Sequence, residues 1–446
     1  MAMLSSFLTP FMGSSINVAL PTIGDEFNMS AIMLSWVATS YLLAAATFLV
    51  PLGRLADIRG RKKIFIIGMW VFAAASVLCA FATSSTMLIA FRWFQGIGAA
   101  MIFGTSIALL TSVYPAQERG KALGMTVSVV YIGGALGPVL GGFLTSYLGW
   151  RSIFLVIIPG IAAVIWIGSK RLVGDWYEAR GEEFDHVGSL FYVLAITAVI
   201  IGFTFLREPL GLALTIAGTV ILMIFIAWEM RHASPVFDMR LFSRNRVFAF
   251  SNLAALINYS ATFGVSFLVS LYLQYVRGYS PEQTGMVLVS QMVVMALFSP
   301  LAGRLSDVIE PRIIASTGMC ITAIGLALIS FFDDGTAVWM MVVVLGFLGF
   351  GFALFSSPNT NAIMSSVDRR QFGTASASVG TMRLVGQVLS LGIATIFISI
   401  YLGSQELTSE LAPQFLDAFQ PAFITFSILC LIGTLASLSR GRVRAS

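Results

Sequence analysis

The chain has 446 residues, 57% of them hydrophobic and 11% charged, with a net charge of +5, and its mean hydropathy is +0.90. Soluble domains run at about 45–50% apolar and about 25% charged, so a water-soluble enzyme, a disordered chain and a nucleic-acid binder are excluded. Cys79, Cys320 and Cys430 sit in apolar runs, and an odd count there sets up no disulfide framework. The composition is that of an integral membrane protein.

A bilayer is crossed by about 20 mainly apolar residues. The sequence supplies fourteen such stretches, at roughly 4–23, 31–52, 63–82, 86–112, 122–147, 152–168, 187–206, 209–229, 247–273, 282–303, 312–332, 337–358, 373–401 and 419–438. Of the 26 Lys and Arg, twenty-one fall in one set of alternate connections and three (Arg151, Arg207 and Arg277) in the other, while Arg92 and Arg383 lie inside spans. Positive charge gathers on the cytoplasmic side, so the expectation is a plasma-membrane protein with both termini in the cytoplasm. Residues 1–20 hold no Lys or Arg, which argues against a cleaved signal peptide. The acids fall in connections or near span ends, as Asp25, Glu26, Glu229 and Glu282 do.

The features that carry chemistry follow in chain order. Asn17 lies in the first span, and Asp25 and Glu26 close it. The connection after the second span reads GRLADIRGRKK, from Gly53 to Lys63. Glycine suits its tight corners, and Asp57 stands among Arg54, Arg61 and other cations with which it can pair. Arg92, in RWFQGIG with Gln95, is an intramembrane cation, costly unless paired or hydrated and therefore a functional candidate. The fifth span carries GGALGPVLGG, with Gly133, Gly137, Pro138, Gly141 and Gly142; small residues admit close helix contact and Pro138 bends the helix. GRLSD, with Gly303 and Asp307, echoes the 53–63 connection on the same side of the membrane, the mark of a parallel repeat. The expected division is a first six-span bundle over 1–168, a connection with an inserted two-span hairpin over 169–233, and a second six-span bundle over 234–446. Asn359, Arg383 and Gln387 are the polar residues expected to face the cavity of the second bundle, with Asn17, Asn252 and Asn258 as weaker cavity candidates. Tyr41, Trp36, Tyr131, Phe263 and Tyr259 are candidates for an aromatic lining. His186 and His232 read as solvated loop residues. No catalytic constellation, metal-ligand spacing or cofactor motif occurs, and no phosphate-binding G-x-x-x-x-G-K-[ST] loop is present.

The 53–63 connection resembles the loop signature of the major facilitator superfamily, and RWFQGIG resembles its fourth-span arginine motif. GPVLGG is similar to the fifth-span signature of that family's exporters. NVALP, GWRSIF, FDHVG, SPVFDMRLFSRNRVF, YLQYVRGYSP, SSPNTNAIM and GTASASVGTMRLVGQ resemble the fourteen-span drug/proton antiporter branch, from end to end of the chain. The resemblance implies an all-helical fold of two six-helix bundles plus a two-helix insert. It also implies a monomer that exports small molecules by alternating access, exchanging them for protons. Asp57, Arg54, Arg61, Gly53, Gly303 and Asp307 would then belong to a latch between the bundles, and Arg92 and Gln95 to coupling or to an internal polar network.

One departure bears on the cargo. Branch members that expel drug cations carry an Asp in the first span where this chain has Met12, and a second acid in the tenth span, here MVLVSQMVVMALF. The formal charge left inside the spans is that of Arg92 and Arg383. A positive cavity disfavours permanent cations, so neutral, zwitterionic or anionic cargo is expected. Asp25 or Glu26 would form an outer proton site if protons drive transport. An uncoupled metabolite exporter is the alternative within this fold, and a non-transporting membrane sensor the alternative outside it.

Overall fold

The computed structural model describes residues 1–113, 119–172, 174–206, 208–232, 234–368, 371–403, 405 and 407–441. Arg207, counted above among the connection charges, lies outside them. Among the described residues fourteen helices are long and apolar enough to cross a membrane, as the hydropathy predicts, and none forms a strand. They are α1 (Ala2–Phe27), α2 (Ala31–Arg59), α3 (Arg61–Ala80), α4 (Ser85–Val113), α5 (Arg119–Leu148), α6 (Arg151–Arg171), α7 (His186–Thr204) and α8 (Pro209–Glu229). The rest are α9 (Arg246–Val276), α10 (Pro281–Val308), α11 (Pro311–Ile329), α12 (Val338–Ser365), α13 (Phe372–Tyr401) and α14 (Ala412–Ser439).

Sequence punctuation explains where several of these helices start. Asp185 caps α7 by accepting from the Gly188 N–H, and Asn245 caps α9 by accepting from that of Phe248. Ser280 and Gln283 form a capping box at α10, with Pro281 in its first turn. Gly60, between α2 and α3, has φ of 109°, a conformation open to glycine at little cost. The ninth span is less regular than its hydropathy suggests: α9 is interrupted at Phe263 and widens into a π-turn over Tyr272–Val276.

The chain gathers into two compact units. One comprises Met1–Gly13, Trp36–Gly134 and Leu148–Met239; the other comprises Ser14–Ser35, Ala135–Tyr147 and the chain from Arg240 on. Each contains a hairpin that follows one of the two similar GRL connections, and both hairpins are closed by glycine. In the first unit, a Cβ on Gly68 of α3 would stand 3.1 Å from the Gly98 carbonyl, and one on Gly98 of α4 would stand 3.0 Å from that of Gly68. In the second, a Cβ on Gly318 of α11 would lie 2.6 Å from the Gly351 carbonyl, and one on Gly351 of α12 would lie 2.9 Å from that of Gly318. In both hairpins the backbones meet where any larger side chain would force them apart. The inserted pair α7–α8 belongs to the first unit, where the Tyr192 hydroxyl donates to the Ala46 carbonyl of α2 at 3.1 Å.

Candidate functional site

In the first unit Arg92 is 1% exposed. Its Nε donates to the Val37 carbonyl at 3.0 Å, its Nη1 to Gln95 Oε1 at 2.5 Å, and its guanidinium carbon lies 4.4 Å from the centre of the Tyr41 ring. Gln95 passes the network on, donating from Nε2 to Ser76 Oγ at 2.7 Å. All these partners are uncharged, so the cation is solvated by dipoles and a π-face. Such an arrangement retains a positive field instead of cancelling it. Trp36 Nε1, Ser40 Oγ and Thr47 Oγ1 are buried without partners, and their spacing puts the three on one face of α2. Trp36 stacks on Phe205, ring centres 6.0 Å apart.

Around the 53–63 connection the structure shows more than the sequence does. Arg61 Nε pairs with Asp57 Oδ1 at 2.7 Å, and its other side bonds to Glu178. Arg54 pairs with Glu182 at 2.5 Å. The Asp57 carbonyl accepts from the Glu178 and Ala179 amides, each at 3.1 Å, and the Arg61 amide donates to the Trp176 carbonyl at 3.0 Å. Asp175 caps α3 from outside the helix, Oδ1 accepting from Lys62 N–H at 2.8 Å and Oδ2 from Lys63 N–H at 3.3 Å. Residues 174–182 thus form a strap over the connection, clasping both its backbone and its charges. In the sequence this stretch is part of a long charged connection. Its acids at 178 and 182, set against the cations at 54 and 61, were the available signal. Gly53 lies beside Gly104 of α4, whose Cβ would stand 3.2 Å from the Gly53 Cα.

In the second unit Gly303 sits against Ser357, and Asp307 accepts from Asn361 Nδ2 at 3.4 Å. Asn359 does not have the free amide expected of a cavity residue. It is 2% exposed, its Nδ2 donating to the Ser251 carbonyl at 3.1 Å and its Oδ1 accepting from Arg440 Nη1 at 2.9 Å. Arg440, read from the sequence as a terminal loop charge, is fully buried. It also donates to Ser251 Oγ at 3.2 Å, the Ser437 carbonyl at 2.9 Å and Ser437 Oγ at 2.5 Å. Burial pushes this guanidinium down to about 10, and it remains charged at neutral pH. Arg383 and Gln387, both half-buried, lie one turn apart on α13.

The glycines of the α5 signature serve close packing. Gly133 abuts the Phe7 backbone in the first unit, while in the second Gly141 abuts Ser15 and Gly142 abuts Pro281. The Gly137 carbonyl accepts from Ser15 Oγ at 3.0 Å, and Pro138 offers its carbonyl to the face of Gly285. Asn17 is 2% exposed, with its carbonyl taken by Ser270 Oγ at 2.8 Å and its side-chain oxygen unpartnered. Asn252 and Asn258 also bury an unpartnered oxygen, as do Thr284, Gln291 and Ser299 of α10. Asp25 and Glu26 are exposed. Asp25 lines an open cavity of about 430 Å³ with Gln274, Tyr275 and Tyr279, and accepts from the Tyr275 hydroxyl at 3.3 Å.

This combination of fourteen apolar helices, repeated GRL hairpins and an uncompensated intramembrane arginine is matched by the model of one family, the Major Facilitator Superfamily, over residues 2–248 and 251–445. The chain belongs to the major facilitator superfamily. Among its relatives, the riboflavin transporter RibZ of Clostridioides difficile is 29% identical, over 97% of this chain and 94% of RibZ. The cephamycin export protein CmcT of Amycolatopsis lactamdurans is 31% identical, over 99% and 92%. The fold is also that of a bacterial homologue of the human lysosomal transporter Spinster, solved inward-facing and occupied, with a TM-score of 0.68 at 18% identity over 98% and 95% of the two chains. The protein is a multi-pass secondary transporter of small molecules, and the relatives are transporters and not enzymes.

Proposed function

We propose that this superfamily member is an exporter of neutral or anionic amphiphilic molecules, working by alternating access as a monomer in the plasma membrane with both termini in the cytoplasm. The observation that carries the cargo class is Arg92, fully buried among neutral partners, while Met12, 0% exposed, fills the position where cation exporters of the branch carry an acid. A buried positive charge without a carboxylate repels permanent cations and attracts anions. The relatives' names agree in kind, since neither riboflavin nor a cephamycin is a permanent cation. The lopsided distribution of Lys and Arg supports the orientation.

The 53–63 connection would then lie on the cytoplasmic side and act as the latch, with the 174–182 strap holding its charges when the latch is open. Protons are the proposed counter-ion, with Asp25 in its open cavity as the outer entry point. In the first unit, the unpartnered polar atoms of α2 are the groups expected to meet the solute. Liposomes containing the purified protein, loaded with matched cationic, neutral and anionic dyes, test the reading. The expected result is transport of neutral and anionic dyes against their gradients when protons are supplied from the opposite side. Selective transport of the cationic dye would overturn the cargo assignment, and purely downhill flux would overturn proton coupling.

A further inference from the structure

The inserted hairpin ends in a pair of buried acids that the transport reading does not use. Glu229, the last residue of α8, is 0% exposed, and Asp185, the cap of α7, is 4% exposed. Asp185 has its oxygens engaged: Oδ1 accepts from the Gly188 N–H at 2.8 Å and Oδ2 from Trp228 Nε1–H at 2.9 Å. Glu229 Oε2 accepts from the Phe237 N–H at 2.9 Å and the Val236 amide also faces the carboxyl, whereas no hydrogen bond reaches its buried Oε1. Asp185 Oδ2 and this orphaned Oε1 both lie under 3.0 Å from the point that a Cβ on Gly188 would occupy. The two oxygens are therefore less than twice that distance apart, near enough for two negative charges to exclude each other.

The charges facing the pair do not cancel it. From α2, Arg54 lies within electrostatic reach of Glu229, but its ion pair is with Glu182 of the strap, and its Nε is buried without a partner. From the segment after α8, His232 stacks on Trp228 with ring centres 5.6 Å apart, and its Nε2 stands 3.8 Å from Asp185 Oδ2. His186, beside Asp185, is exposed. The segment at 236–237 supplies only backbone to the pair. A proton on Glu229 Oε1 removes one of the two charges and turns an orphaned acceptor into a donor facing Asp185 Oδ2.

We propose that Asp185 and Glu229 share one proton, forming a proton-loading site at the cytoplasmic end of the α7–α8 hairpin that sets which carboxylate Arg54 pairs with. Loaded, the pair leaves Arg54 on Glu182 and the strap stays closed over the 53–63 connection. When the proton leaves to water, the ionised Glu229 competes for the unpartnered Nε of Arg54 and the strap loses one of its ion pairs. One group and one bistable salt bridge thereby link pH to the latch. This rests on the proposed reading for its gating role, but not for the binding of the proton.

Infrared difference spectra of the full-length protein in nanodiscs, recorded while pH is stepped through the neutral range, test the site directly. The expected result is a protonated-carboxyl C=O band at neutral pH that is lost in Glu229→Gln and titrates at lower pH in Asp185→Asn. Gln retains the acceptor for Phe237 and Asn retains the cap, and thermal melts identify a variant that has failed to fold. The protection factor at 175–182, with exchange corrected for its intrinsic acceleration by base, should fall as pH rises in the wild type and stay flat in Glu229→Gln. Identical spectra for the wild type and a folded Glu229→Gln would overturn the proposal. A band without any dye transport would fail the export reading and leave the proton site standing; dye transport without the band would do the reverse.

Discussion

Asp175→Ala isolates the strap from every other part of the molecule. α3 opens with Arg61, Lys62 and Lys63 and has no acid in its first turn, so its positive helix end faces three cations. Asp175 supplies both things the helix lacks, an acceptor for the Lys62 and Lys63 amides at 2.8 and 3.3 Å and a negative charge. Loss of a capping oxygen costs about 0.5–2 kcal/mol, and loss of a charge complementing the dipole costs about 0.3–1 kcal/mol. Because Asp175 is half-buried and screened, a combined value of about 1–2 kcal/mol is appropriate. With tenfold in an opening constant for each 1.4 kcal/mol, local amide exchange at Lys62 and Lys63 should speed up about 5- to 30-fold. Asp175→Asn, which keeps an oxygen but not the charge, should fall between wild type and Ala. Hydrogen exchange read by mass spectrometry on peptides spanning 58–66 measures this. Unchanged protection in Asp175→Ala would mean that the strap does not hold the connection, and the reasoning about the clasp would fail with it.

Three further expectations concern the two units separately. Arg92→Gln removes the buried charge, and efflux of an anionic dye should fall about tenfold, the equivalent of one charge-assisted hydrogen bond of about 1.5 kcal/mol, while a neutral dye is less affected; equal losses would show that Arg92 only supports the helices. Asn359→Ala strips Arg440 of an acceptor and the Ser251 carbonyl of a donor, at about 1–3 kcal/mol, which a detergent melt should show as a Tm lower by several degrees. Gly285→Ala drives a Cβ into the Pro138 carbonyl, an overpacking of about 1–3 kcal/mol that the same melt reports.

Hydropathy and charge carried most of the fold because they are properties of single segments. Each helix must be about 20 residues of apolar chain, and each connection either holds its Lys and Arg or does not. The cap at Asp185 was equally local: FDHVG sets an acceptor three residues ahead of the amide it takes, a helix start readable without a structure. What escaped were pairings across long stretches of chain. Nothing local joins Asn359 to Arg440, or Asp175 to the α3 amides more than a hundred residues earlier. Glu229 escaped for a different reason. A lone acid at the end of an apolar helix reads as a boundary mark, and only the folded chain shows it 0% exposed with an unpartnered oxygen. The 174–182 strap has the charge density of a surface loop, and nothing in its sequence shows that Asp175, Glu178 and Glu182 all meet one connection.

The cargo assignment makes its sharpest commitment at Met12. The side chain is 0% exposed in α1, so Met12→Asp places a carboxyl where its charged form costs several kcal/mol. The group is expected to stay protonated until a cation arrives to offset that cost or until the proton leaves for water. Two properties should then appear together in the liposome assay: export of a permanently cationic dye that the wild type rejects, and a dependence of that export on the proton gradient. They are linked because one carboxyl would carry either the proton or the counter-charge of the dye, and never both. Should the folded variant still reject the cationic dye, the charge of Arg92 and the missing acid do not set the selectivity, and cavity shape must. Should it export the cation with no response to protons, the new carboxylate is hydrated and permanently ionised, and Met12 lines water instead of packed protein.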